Sequence, residues 1–270
     1  AALVEPGYQP LVADITADRP LFAAASKGRI LNSTAFLVPG EIPDSSIATG
    51  AGEHPEGTNP TEGSLTFNGV AVQPRGISGL FRCTRELVDS GNPAIDALAL
   101  AVMREQYNRE TEQMIYEALN AAQSGTITDG RVPSGAQART STGNALPVDM
   151  RKAAAAFTNV RGQRPRAIVA SAQPSVSEVL AEGLDETTGD EEAMWRVMGL
   201  PVNLSPAITG TADDDGDVFI IGPDLWCWSS PLLEFQFSER QGPAYVDLCL
   251  YGYFACAVTK PAGIASIRHT

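Results

Sequence analysis

The stretch Asn92–Gly125, NPAIDALALAVMREQYNRETEQMIYEALNAAQSG, decides the fold. Asn92 can cap a helix, Pro93 suits the first helical position, and Asp96 places an acid in the first turn, where the helix dipole favours it. Apolar residues then return at Ile95, Leu98, Ala99, Val102, Met103, Tyr107, Met114, Ile115, Ala118 and Leu119. That is the 3.6-residue period of a helix, interrupted only around Glu110 and Thr111. At 1.5 Å per residue such a helix spans roughly 45 Å. Its middle, REQYNRETEQ, is mostly polar, and Glu105 and Arg109 stand at i,i+4 spacing, where opposite charges pair. The pattern predicts a strut over about 93–123, one face on a sheet and the other available to neighbours.

Upstream, residues 1–28 hold Pro6, Pro10 and Pro20 among short apolar pairs, which predicts an extended arm with few contacts of its own. Two β-prone runs, Arg29–Val38 and Ser64–Pro74, flank a Gly-, Pro- and Asp-rich stretch from Pro39 to Gly63 that cannot continue a strand. A long hairpin follows from this, and a tip of that length tends to order on a partner. The tip carries Glu41, Asp44, Glu53, Glu56 and Glu62 with no Lys or Arg. It reads either as a solvated loop or as a surface that meets a basic patch on another copy. Candidates for that basic patch are Arg104, Arg109, Arg161, Arg164 and Arg166.

Downstream of a Gly-, Ser- and Thr-rich link (residues 124–144), helix and strand alternate. Val148–Thr158 and Ser175–Glu182 read as helices. Ala167–Ala170, Gly199–Leu204, Val218–Ile221 and Trp226–Ser229 read as strands, and Tyr245–Val258 as a long strand apolar on both faces. The class is α+β.

Composition excludes several functions. The chain has 270 residues, 43% hydrophobic and 19% charged, enough for one sizeable core or two small ones. It contains no apolar run long enough to span a membrane, and AALVEPGYQP has neither a basic start nor an apolar signal core, so a cytosolic product is expected. A net charge of −13 disfavours gripping nucleic acid, although a container for DNA can be acidic. Cys83, Cys227, Cys249 and Cys256 lack CxxC spacing and read as buried free thiols.

The sequence has no HExxH, GxSxG, GxxxxGK[ST] or GxGxxG motif. Its two histidines, His54 in the acidic tip and His269 beside the end, offer no buried base. The DDDGD run at 213–217 lacks the register and closing Glu of a calcium loop and reads as a solvated turn. Glu182, Asp185, Glu186, Asp190, Glu191 and Glu192 could supply a carboxylate pair, but their Gly- and Thr-rich surroundings suggest an exposed loop. Trp226 and Trp228 share one face of a strand and read as core. Neither an enzyme nor a cofactor or metal site is expected.

The order of these elements, with Thr84-Arg85-Glu86-Leu87-Val88 before the long helix, Met198-Gly199-Leu200-Pro201-Val202, Ile221-Gly222-Pro223 and the closing run to Lys260-Pro261-Ala262-Gly263-Ile264, resembles the tailed-phage major capsid protein family with the HK97 fold. The resemblance implies an N-arm (1–28), an E-loop β-hairpin (29–76), a P-domain with a long spine helix (77–144), an A-domain (145–240, approximate) and a C-terminal strand (241–270) returning to the P-domain. It implies hexamers and pentamers in an icosahedral shell around double-stranded DNA, assembled in the host bacterial cytoplasm into the virion. A scaffold protein, a portal and decoration proteins are the further partners implied. Some relatives weld subunits through a Lys in the E-loop; from Ile30 to Arg151 this chain has none, so no such crosslink is expected. Encapsulin compartments, which share the architecture but enclose protein cargo, are the alternative, and a hydrolase using clustered carboxylates is a remoter one.

Overall fold

The computed structural model describes residues 19–30, 32–39, 69–86, 95–124, 137–141, 145–183, 196–208, 216–237, 244–260 and 263–269. Its helices are α1 (Pro20–Ala24), α2 (Ile95–Ser124), α3 (Leu146–Arg161) and α4 (Pro174–Gly183). The strands are β1 (Ser26–Arg29), β2 (Phe36–Pro39), β3 (Gly69–Val72), β4 (Arg75–Thr84), β5 (Gln137–Ser141), β6 (Ala167–Ser171) and β7 (Arg196–Val197). They continue as β8 (Leu200–Ser205), β9 (Gly216–Ile221), β10 (Leu225–Ser229), β11 (Leu233–Phe237), β12 (Tyr245–Val258) and β13 (Ile264–His269).

β12 organises the first sheet. Along one edge it pairs antiparallel with β4; along the other it pairs with β10 and β11, and β1 joins β10 in parallel. Alternate side chains of a strand serve opposite faces, and here both are apolar. Phe254, Cys256 and Val258 meet Ile115, Tyr116 and Leu119 of α2, while Val246 and Leu248 pack with Cys83, Ala99 and Met103. On the other face Ala255 and Ala257 join Trp228, Ile30, Val70 and Val72, over which the antiparallel β2–β3 pair closes. Trp226 and Trp228 stack at 5.9 Å, as core residues of one strand face do.

The second sheet runs β5-β13-β9-β6-β8-β7. Met150, Ala153, Ala154 and Phe157 of α3, with Val176 and Leu180 of α4, cover Ile168, Ala170, Val218, Ile220, Ala265 and Ile267 on one of its faces. Val169, Phe219 and Ile221 point the other way, into the core shared with Leu21, Ile115 and Leu119. The β7–β8 connection is a two-residue turn with positive φ at Met198 and at Gly199 (φ 82°), where glycine carries no Cβ penalty.

The placement of several segments differs in detail from the sequence reading. Residues 20–29 do not lie free: α1 is buried through Leu21 and Ala24, and β1 completes the first sheet, because Pro20 starts a helix rather than continuing an extended arm. Within 145–240, β10 and β11 pair with β12 of the first sheet rather than with β9. The C-terminal segment is two strands: β12 pairs with β4 in the first sheet, and β13 joins the second sheet beside β9. Asp217 is no solvated turn residue: it is buried at 2% exposure, with Tyr116 and Arg268 facing its carboxylate at 3.5 Å. Strands β4, β5, β7, β11 and β13 had no counterpart in the periodicity reading.

Candidate functional site

The polar middle of α2 is where its expected interruption fell, yet the helix runs through it unbroken. Thr111 and Glu112 are buried there because α1 supplies their partners. The Glu112 carboxylate accepts the backbone N–H groups of Leu21 (3.1 Å) and Phe22 (2.8 Å), and Arg19 donates to Thr111 Oγ1 at 2.6 Å. The first turn of a helix leaves N–H groups without intrahelical acceptors, and a carboxylate aimed at them also matches the helix dipole. Burial nonetheless pushes the Glu112 carboxyl above its usual range, against the pull of those N–H groups and of Arg19.

Three of the arginines expected to meet the acidic tip, Arg104, Arg109 and Arg166, have separate partners. Arg104 grips Glu234 of β11 with two bonds, Nε–Oε1 at 2.6 Å and Nη2–Oε2 at 2.8 Å. The hydrogen bond raises the arginine and lowers the glutamate from their ordinary values. Arg109 bonds Glu105 one turn earlier, as its spacing predicted. Arg164 is exposed, Arg166 is exposed and donates to Ser26 Oγ at 3.0 Å, and Arg161 closes α3. Glu41, Asp44, Glu53, Glu56 and Glu62 lie outside the described residues, as do Asp185, Glu186, Asp190, Glu191 and Glu192.

A different surface stands out. The register sets Leu80 of β4 beside Cys249 of β12, and Cys249 beside Phe235 of β11; one pair along, Ser78, Tyr251 and Leu233 form a second row. Leu80 (62%), Leu233 (49%) and Phe235 (44%) are exposed on this face. The strip was legible in part, since LEFQF at 233–237 alternates apolar and polar residues and Leu80-Phe81 is flanked by Arg75, Arg82 and Arg85.

A groove of about 710 Å³ between α2 and the end of β8 is lined by Glu105, Arg109, Glu110, Glu112, Leu204 and Pro206, a charged and apolar mixture without a nucleophile and its base. Among the described residues no three His, Cys, Asp or Glu side chains converge as metal ligands. The described residues thus present exposed apolar and charged surfaces, in a fold built around one long helix and one long strand.

The family model described as phage capsid protein matches residues 70–267, a span that holds α2, the first sheet apart from β1, and the second sheet apart from the last two residues of β13. The chain belongs to the phage capsid protein family. As a capsid protein it has the fold of other shells at low sequence identity. Against the capsid of an empty GTA particle the TM-score is 0.64 at 13% identity, covering 93% of this chain and 90% of that one. Against the capsid of the cyanophage P-SCSP1u it is 0.62 at 12%, covering 92% and 86%. The SrpI encapsulin of Synechococcus elongatus PCC 7942 gives 0.66 at 12%, covering 96% and 89%. No curated protein sequence matched. The family and the fold make this a structural shell protein of the α+β class.

Proposed function

We propose that this capsid protein is the major shell subunit of a tailed phage, forming hexamers and pentamers that close into an icosahedral container for double-stranded DNA. The observation that carries the reading is the family match across residues 70–267. In this reading residues 1–28 are the N-arm, with α1 as its anchored end, and 29–76 the E-loop, based on β2 and β3. The P-domain is α2 with the sheet of β4, β10, β11 and β12. The A-domain is the sheet of β6 to β9 under α3 and α4, a narrower span than 145–240. Assembly takes place in the host cytoplasm with a separate scaffold and a portal, and decoration proteins bind outside. The acidic residues Glu41, Asp44, Glu53, Glu56 and Glu62 meet arginines of a neighbouring copy, where a net charge of −13 keeps the wall from holding its genome tightly.

The encapsulin likeness supports a second reading, a compartment for protein cargo. Negative-stain microscopy beside size-exclusion chromatography tests the first. Closed shells containing DNA support it, shells holding a co-purifying enzyme favour the second, and a monomer under every salt and scaffold condition overturns both.

A further inference from the structure

We infer that Cys227 and Cys256 form a redox site, two thiols opposed on neighbouring strands that a peroxide joins into a reversible disulfide locking β10 to β12. The chemistry belongs to the single chain and does not depend on the shell reading.

The register sets Cys227 of β10 directly across from Cys256 of β12 in an antiparallel pair. Directly opposed residues of such a pair project to the same face. Both cysteines lie in the core cluster with Phe254, Val258 and the apolar side of α2, while Trp226, Trp228, Ala255 and Ala257 take the other face. Backbone hydrogen bonds fix the kind of pair. At one end of the ladder the Thr259 N–H donates to the Asp224 carbonyl at 2.9 Å, and at the other the Ser230 N–H donates to the Tyr253 carbonyl at 2.9 Å. Hydrogen-bonded and non-hydrogen-bonded pairs alternate along an antiparallel ladder. Counting inward from either end makes Trp226 with Ala257 and Trp228 with Ala255 hydrogen-bonded pairs, and Cys227 with Cys256 a non-hydrogen-bonded one. Such a pair brings its Cα atoms to about 4.5 Å and its side chains into the closer of the two arrangements. A disulfide spans Cα separations of about 4.4 to 6.8 Å. The bond therefore closes with little movement of either strand, near the short end of its range, where strain makes it easier to reduce again. Cys83 stands opposite Val246, and Cys249 between Leu80 and Phe235, so the register matches thiol to thiol at this one place among the described residues.

Burial selects the oxidant and the order of attack. Cys227 is fully buried and Cys256 is 3% exposed, so a bulky disulfide is shut out, whereas hydrogen peroxide is little larger than water. Burial, with Cys256 beside it, pushes the Cys227 thiol well up, which leaves the first attack to Cys256. As thiolate, the Cys256 sulfur takes a hydroxyl from the peroxide and the O–O bond breaks; a sulfenic acid forms, and the released hydroxide recovers the Cys256 proton as water. The Cys227 sulfur then attacks the Cys256 sulfur, the S–OH bond breaks, and the departing hydroxide takes the Cys227 proton as a second water. Two thiols and one peroxide become one disulfide and two waters; the sulfurs lose the two electrons that the peroxide gains. Oxidation also removes the Cys256 S–H, which in the thiol form donates to the Met114 carbonyl of α2 at 3.4 Å. The bond thus ties two strands together and releases one contact between sheet and helix. A chain kept among cytoplasmic reductants carries the thiols, and the same chain in an oxidising medium carries the bond.

The test treats the reduced full chain, as wild type and as Cys249→Ser to remove the accessible thiol, with hydrogen peroxide. Remaining thiols are blocked with N-ethylmaleimide in denaturant, and peptides are mapped by mass spectrometry without reduction. One linkage, joining Cys227 and Cys256 of the same chain, should form, disappear with dithiothreitol, and be absent from Cys227→Ala and Cys256→Ala. The β10 amides should exchange about tenfold more slowly in the oxidised chain than in the reduced one, a difference that Cys227→Ala should abolish. Both thiols still free after peroxide, or carried to sulfinic acid without a linkage, overturn the proposal, as does a bond from either to Cys83, to Cys249 or to a second copy. A Cys227–Cys256 bond with unchanged β10 exchange overturns the lock. Should an alanine variant fail to fold, the linkage map and the exchange of the wild type still decide.

Discussion

Glu112 holds α1 against α2 through Phe22: the carboxylate Oε1 accepts the Phe22 backbone N–H at 2.8 Å, while Oε2 takes that of Leu21 at 3.1 Å. A five-residue helix is too short to be stable by itself. Its stability comes from Leu21 and Ala24 in the shared core and from this acid at its N-terminus. Replacing Glu112 with Ala leaves the N–H groups of Leu21 and Phe22 without their acceptor and removes the opposite charge near Arg19. The expected loss is about 3 kcal/mol of unfolding free energy, measured by urea denaturation, with faster hydrogen exchange confined first to residues 20–29. A loss below about 0.5 kcal/mol would show that water replaces the carboxylate at little cost.

The same group gives a pH dependence of known sign. Burial holds the Glu112 carboxyl above its unfolded value despite the Phe22 and Leu21 N–H groups and Arg19. The folded chain therefore keeps the proton to higher pH than the unfolded chain does. The contribution to stability is full below the unfolded value and is lost as pH rises through the folded one. The groups facing it do not confuse the window: burial lowers Arg19 only from a very basic value, and raises Tyr107 and Cys227. Glu112→Gln cannot titrate, so wild-type stability minus variant stability should fall across that window and level off above it. Parallel curves would contradict the assignment.

What the sequence disclosed depended on how local each signal was. The bounds of β12 agree with its apolar run because a strand buried on both faces needs no pattern beyond continuity. α2 was legible from periodicity, but the burial of Glu112 was not, because its partners lie 90 and 91 positions away and carry no side-chain signal, being backbone N–H groups. Arg104 shows the same limit: it looked free for a neighbour, while Glu234, 130 positions on, holds it. β4 hid behind Gly76 and Gly79, which lower strand propensity. The exposure of Leu80 and Phe81 is a property of the assembled sheet and could not be read from composition.

Thiol chemistry should separate one cysteine from three. Cys83, Cys227 and Cys256 are buried, and burial pushes the Cys227 thiol well up, so the reactive thiolate does not form there. Cys249, half-exposed on the outer face of β12, is accessible. A thiol reagent should modify Cys249 alone in folded subunits and all four cysteines in denaturant, read by intact-mass spectrometry. Equal native reactivity at Cys227 would mean that β10 opens readily from β12.

Where the chain passes between the sheets, Gly222 donates its N–H to the Gly263 carbonyl at 2.9 Å. A Cβ on Gly222 would lie 2.7 Å from Phe157 Cζ and 2.8 Å from that carbonyl oxygen, closer than either contact permits. Because one neighbour is backbone, a rotamer change cannot relieve the clash. Gly222→Ala should cost about 1–3 kcal/mol, seen as a lower midpoint in thermal denaturation. Phe157→Leu in the same background should recover only part of the loss, since the carbonyl contact remains.

Charge reversal at the acidic tip tests the proposed contact between copies. Glu53→Lys with Glu56→Lys changes the formal charge from −13 to −9, four units, in a run without Lys or Arg. If these acids meet arginines of a neighbour, each exposed pair contributes about 0.2–1 kcal/mol, small singly but repeated at every contact of a closed shell. The double variant should therefore fold normally, assemble poorly at low salt, and lose the salt sensitivity of wild-type assembly, because screening has less attraction left to remove. Light scattering during assembly across a salt series measures this. Unchanged assembly and an unchanged salt slope would place Glu53 and Glu56 in solvent in the finished shell and leave the acidic run without a role in subunit contact.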